Sequence, residues 1–271
     1  MKLAVVCSIV ATLVTIARVE AEACSCAMAD ALGFVAASGE LPANAKGVVW
    51  IGRSKPSAKA IKVFRLVANG KVSVPFKIDA LGLWDKTDPE FSLFLIRPTR
   101  AMKPGQHYRF VSKEHSGSRD APQTLEYAVS DQPLTEAMDT VELSATPVQA
   151  GTERVSDISG RCSNSVAAVA SNISVVLPKA WAPFSEQLLY RTIVNDKPWH
   201  PKSSLCRTVM PGRSQQRTAT DRIFRRCSAE AEADAGVAIT DARVVIEITA
   251  PTVDAKLLIR TQPLTIALNC P

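Results

Sequence analysis

Six arginines, Arg207, Arg213, Arg217, Arg222, Arg225 and Arg226, stand between Cys206 and Cys227, with Asp221 the only acid among them. A guanidinium fork holds a carboxylate or phosphate through two parallel hydrogen bonds. A disulfide-closed loop of this composition would therefore suit lipopolysaccharide, teichoic acid, acidic polysaccharide or nucleic acid. Nucleic acid fits least, because base stacking needs aromatics among the charges and this segment offers only Phe224. A solvated loop that only keeps the chain soluble has the same composition.

Six cysteines, Cys24, Cys26, Cys162, Cys206, Cys227 and Cys270, follow a leader-like start that holds a seventh, Cys7. Lys2, the apolar run from Leu3 to Ala17 and the small residues Ala21 and Ala23 have the order of a secretory signal peptide, with cleavage expected after Ala23. The run is too short to span hydrocarbon, so no transmembrane segment is expected in the mature chain. An even cysteine count in an exported chain favours disulfides over zinc or redox chemistry. Among the pairings, Cys206 with Cys227 and Cys162 with Cys270 are preferred, which leaves Cys24 and Cys26 over. The expected compartment is the periplasm, the cell surface or the medium.

Catalytic chemistry has less to build on. The three histidines are His107, His115 and His200, and the chain has no Gly-x-Ser-x-Gly elbow, no His-Glu-x-x-His and no phosphate-binding glycine loop. No catalytic residue, metal or cofactor is assigned. Asp85, Asp88 and Glu90 could offer oxygens to calcium, but their spacing matches no calcium loop and Lys86 stands among them.

The elements that would position these groups read as strands. At 271 residues, with 46% hydrophobic residues and net charge +6, the chain is long enough for two small domains with buried cores. Ile61 to Ala68 and Lys71 to Asp79 flank Asn69-Gly70, the signal of a type I′ hairpin, and Pro75 marks an edge strand or a bulge. Lys46 to Gly52, Phe91 to Ile96 and Leu125 to Val129 add short apolar strands. After a polar linker over 131–140, further strands are expected at Val141–Val148, Ser165–Leu177, Gln187–Val194, Gly236–Thr249, Lys256–Arg260 and Leu264–Leu268, while Ser228 to Ala235 reads as readily as a short helix.

Met102-Lys103-Pro104-Gly105, followed by Tyr108 entering a strand, resembles the tyrosine corner of immunoglobulin-like and fibronectin type III sandwiches. The resemblance covers about residues 41–130. It implies a β-sandwich like those of bacterial surface domains, with the Tyr108 hydroxyl bonded to upstream backbone and Pro104 shaping the turn. The expectation is thus an all-β chain of two tandem sandwiches, 24–130 and 141–271, after a signal peptide of residues 1–23. The reading of function is an exported, non-enzymatic binding protein of the cell envelope whose partner is an acidic polysaccharide or another surface protein. A secreted hydrolase with an unassigned site and a structural spacer are the competing readings.

Overall fold

A computed structural model describes residues 33–36, 38–52, 54–85, 88–113, 123–135, 141–156, 163–199, 219–227 and 240–271. The chain is nearly all β, as expected. Its first strands are β1 (Gly33–Phe34), β2 (Gly39–Leu41), β3 (Val48–Gly52), β4 (Ile61–Val67), β5 (Gly70–Ser73), β6 (Phe76–Asp85), β7 (Asp88–Pro98), β8 (His107–Ser112) and β9 (Gln123–Val129). They form two sheets, ordered β1-β3-β7-β6 and β2-β9-β8-β4-β5, with β2 parallel to β9. Alternation aims Trp50, Phe94 and Ile96 of one sheet at the inward side chains of the other, where Val63, Phe110 and Tyr127 complete a core with Phe34. Phe110 stands edge-to-face with both Phe34 and Tyr127.

Tyr108 is buried, accepts a hydrogen bond from the Lys103 backbone N–H (3.3 Å) and donates to Gln106 Oε1 (3.1 Å). Pro104 lies exposed in the turn, and Gly105 there has φ of 72°, a conformation that suits glycine. The hairpin at Asn69 forms, but not around Asn69-Gly70. Val67 pairs with Gly70, so Ala68-Asn69 is the loop, and of these residues only Gly70 has positive φ. Pro75 falls between two edge strands, since β5 and β6 each stand last in their sheet, and it splits the expected strand Lys71 to Asp79 in two. It sits where the chain leaves β5 and crosses to the opposite sheet as β6, a place where no ladder N–H is required.

The later strands are β10 (Glu142–Ala145), β11 (Gln149–Ser156), β12 (Ser163–Val176), β13 (Leu189–Val194), β14 (Lys197–Pro198), β15 (Thr220–Arg226), β16 (Asp241–Ala250), β17 (Asp254–Arg260) and β18 (Leu264–Ala267). A short 3-10 helix, Ala182–Gln187, precedes β13. Long β12 pairs with β15 on one side and with β10 and β11 end to end on the other. Long β16 repeats the plan, with β13 on one side and β17 and β18 on the other. Ile173, Ile223, Val244, Ile246 and Ile248 are buried in the shared core. Between the sheets Thr192 on β13 donates to the buried Asp221 carboxylate on β15 (2.6 Å).

Cys227 is bonded to Cys270, with Cα atoms 5.5 Å apart. This corrects both preferred pairings, Cys206 with Cys227 and Cys162 with Cys270. Separation along the chain favoured the short loop, but β15 ends beside the C-terminal segment, where Arg225 also donates to the Leu268 carbonyl (3.2 Å). Cys24, Cys26, Cys162 and Cys206, the leader, and residues 228–235 lie outside the described residues.

The two sets of sheets touch. Val49, Ile51, Leu93 and Leu95, on the outer face of the β1-β3-β7-β6 sheet, are buried with Leu189 of β13. Nearby the Lys46 N–H donates to the Thr252 carbonyl (2.7 Å). Within the expected linker, Leu134 packs into the second core while both its backbone groups bond the Asn44 side chain (2.8 and 3.0 Å).

Candidate functional groove

The arginines singled out in the sequence divide into two groups. Arg207, Arg213 and Arg217 lie outside the described residues. Arg222, Arg225 and Arg226 are not in a loop at all: they lie on β15, hydrogen-bonded along β12, and all three are half-buried. Arg222 reaches across β12 to the Glu153 carboxylate and also donates to Asn172 Oδ1 (3.0 Å). Arg225 holds the C-terminal segment, as described above. These side chains join elements of the sandwich, so this part of the expected basic loop is a structural strand. Phe224 is covered edge-to-face by Trp199, whose indole N–H donates to the Arg222 carbonyl (3.1 Å).

A different set of arginines lines the open face of the second sheet. Because side chains alternate, Arg191 and Ile193 of β13 share a face with Arg243, Val245 and Glu247 of β16, while Thr192, Val244 and Ile246 point inward. Register then builds rows. Arg191, Glu247 and Arg260 stand opposite one another on three adjacent strands, and Ile193 faces Val245 in the next row. Together with Asp196, Arg243, Thr261 and Pro263 they line an open groove of about 500 Å3.

Each end of the groove is fixed by a local device. Arg260 gives two hydrogen bonds to Glu247 Oε1, from Nε (3.1 Å) and Nη2 (2.7 Å), and the Glu247 side chain is only 14% exposed. At the other end β13 turns into β14 through Asn195-Asp196, both at positive φ (48° and 63°), as a type I′ turn demands. Asn195 Oδ1 accepts the Arg243 N–H (2.9 Å), and Arg243 Nη1 donates to Asp196 Oδ1 (3.0 Å). Thr261 Oγ1 accepts the Ile246 N–H (2.9 Å), which holds the rim beside Arg260. The groove therefore presents guanidinium groups at two ends of an aliphatic floor, and can bind anions by charge-assisted hydrogen bonds.

Other sequence candidates stay apart. His107 is exposed at the start of β8, and His115 and His200 lie outside the described residues. Asp85 pairs with Asp88 at the tip of the β6–β7 hairpin. Among the described residues no three His, Cys, Asp or Glu side chains converge as metal ligands, and no helix is long and apolar enough to cross a membrane. Among the described residues, Arg97 and Tyr190 have shifted acidities, both away from the groove. Asp79 holds the Arg97 guanidinium above its ordinary value through a hydrogen bond and its charge. Burial, then the charge of Glu186, raises the Tyr190 hydroxyl.

Sequence reading missed Arg191, Arg243 and Arg260 because they form no run. The available signal was one arginine at an outward position in each of three predicted strands, and only the register joins them. In comparisons with known proteins, no family model and no curated sequence matches this chain.

Proposed function

We propose that this chain is an exported, non-enzymatic binding protein of the cell envelope that contacts acidic polymers through arginines of its second sandwich. The observation that carries the reading is the groove in which Arg191, Arg260 and Arg243 flank the Ile193 and Val245 floor. Export is supported by the leader-like order of residues 1–23 and by the Cys227–Cys270 bond, since disulfides persist in oxidising compartments. We further propose that residues 33–129 are an immunoglobulin-type sandwich. In support, β1-β3-β7-β6 against β9-β8-β4 follows the A-B-E-D and G-F-C arrangement of that fold, with Tyr108 bonded as its corner requires.

The test is retention of the full chain on immobilised heparin along a salt gradient. Wild-type protein is expected to elute at raised salt, because exposed charge interactions are screened. The triple variant Arg191→Gln/Arg243→Gln/Arg260→Gln is expected to pass through. If that variant elutes with the wild type, the groove is not the contact surface. A spacer role has one observation in its favour, the apolar contact of Leu189 with the first sandwich. It predicts small-angle scattering of a rigid pair together with no retention of the wild type.

A further inference from the structure

We infer that the groove grips a linear carboxylated polysaccharide at two points at once, with one carboxylate at the Arg191–Arg260 end and a second at Arg243. The inference rests on the binding reading above and adds the ligand class and the manner of binding. Arg243 and Glu247 are four residues apart on β16, and Arg191 and Arg260 flank Glu247 in register. At a rise of about 3.3 Å per residue, the two cationic ends are ~13 Å apart. Between them Ile193, Val245 and Pro263 offer no charge and no side-chain donor. A small anion reaches one end only, whereas an extended chain with repeated acidic groups reaches both.

The groove's own acids show what the seats accept. Glu247 takes two N–H groups of Arg260 through one carboxylate oxygen, and Asp196 takes one from Arg243. Each guanidinium has five N–H donors in a planar fork, so an incoming carboxylate can add to these ends without replacing the internal pair. Among the described residues no aromatic side chain lines the groove, so they offer no stacking platform of the kind that single-stranded nucleic acid needs. The aliphatic floor suits the less polar edge of a sugar ring better than a bare phosphate chain.

The experiment is calorimetric titration of the full chain at low salt with oligogalacturonates from monomer to hexamer, beside linear oligophosphates of matching lengths. Affinity is expected to step up by about 100-fold at the uronate length that first spans both ends, as for two linked contacts. Arg243→Gln and Arg260→Gln should each remove the step, while Arg97→Gln, on the first sandwich and paired with Asp79, should keep it. Circular dichroism of each variant separates loss of contact from loss of fold. Uronate affinity that rises smoothly with length, alike in wild type and Arg243→Gln, would overturn two-point binding while leaving a cationic binding face intact. A step seen with phosphates and not uronates would overturn the ligand class. Absence of binding to every polyanion, heparin included, is the separate result that sinks the function itself.

Discussion

The two pairs of sheets, β1–β9 and β10–β18, place their polar groups in different ways. In the first, rings fill the middle and hydrogen bonds close the rim. Phe34, Trp50, Phe94, Phe110 and Tyr127 occupy the core, while Tyr108 and Asn44 tie the turns around it. In the second, Ala, Val and Ile make up much of the core around Trp181, Phe184, Tyr190, Trp199 and Phe224, and polar groups and a disulfide join sheets and strands. Thr192 bonds Asp221 between the sheets, Arg222 bridges β15 to Glu153 across β12, and Cys227–Cys270 pins the chain end. Rings fill both cores, but in the second directional bonds and a disulfide also tie sheet to sheet and strand to strand. The comparison teaches that the first half should fail through its core and the second through its cross-links.

The largest expected effect tests the first half of that statement. Phe110→Ala removes a fully buried ring that touches two other rings, and should cost about 3–5 kcal/mol in denaturant unfolding. A cost below about 1 kcal/mol would show that the aromatic cluster is not what holds this sandwich. For the second half, the double variant Cys227→Ala/Cys270→Ala opens a closure of 43 residues in sequence separation, worth about 4 kcal/mol on loop entropy. The same loss should follow from reducing the wild type, and no loss from either treatment would leave the comparison without its clamp.

Two tyrosines sharpen the contrast. Burial raises the Tyr190 hydroxyl, so the folded protein keeps that proton longer than the unfolded chain does. The stabilisation is fully present below the unfolded value, near pH 10, and is lost as pH rises above it, by up to about 1.4 kcal/mol per pH unit. Urea unfolding between pH 9 and 12 should show a shallower loss for Tyr190→Phe, and parallel curves would show that this hydroxyl does not govern alkaline stability. Tyr108→Phe acts at the rim instead, leaving the Lys103 N–H and Gln106 Oε1 without their partner. About 1 kcal/mol is expected, measured as a shift in denaturation midpoint with the slope unchanged.

What could be read in the sequence follows the same division. The first half keeps most of its polar groups outside, so alternation and turn residues were visible, and Met102 to Tyr108 pointed to a turn closed by the Tyr108 hydroxyl. Even there Asn69-Gly70 misled by one residue, because Val67 pairs with Gly70 and so makes that glycine the first residue of the returning strand. The second half gives its polar groups partners on other strands. β15, Thr-Asp-Arg-Ile-Phe-Arg-Arg, reads as a basic loop unless Asp221 and Arg222 are known to have partners on β13 and β11. Likewise β11 holds Gly151, Thr152 and Glu153 and carries no apolar face. The groove was illegible for a third reason, since Arg191, Arg243 and Arg260 become neighbours only through strand register.

The smallest effect concerns a backbone position where the two pairs of sheets also differ. The corner of the first meets its need for positive φ with Gly105, and the β13–β14 turn of the second meets it with Asn195 and Asp196, residues that tolerate that region. Ala219, entering β15, has φ of 51° without either advantage, while its carbonyl accepts the Val175 N–H (2.7 Å) and so fixes the turn. A left-handed conformation costs an L-residue about 1–2 kcal/mol, and glycine gives back about 0.5–1 kcal/mol of that through its looser unfolded chain. Ala219→Gly should therefore stabilise by about 0.5 kcal/mol, an unusual sign for an alanine-to-glycine change, whereas Asn195→Gly should destabilise, because it also removes the side-chain bonds to the Arg243 N–H and the Asp241 carbonyl. Thermal melting of the pair decides it. If Ala219→Gly destabilises, the strain at the entry to β15 is relieved by its hydrogen bond to β12, and the arginine strand is held by its ladder alone.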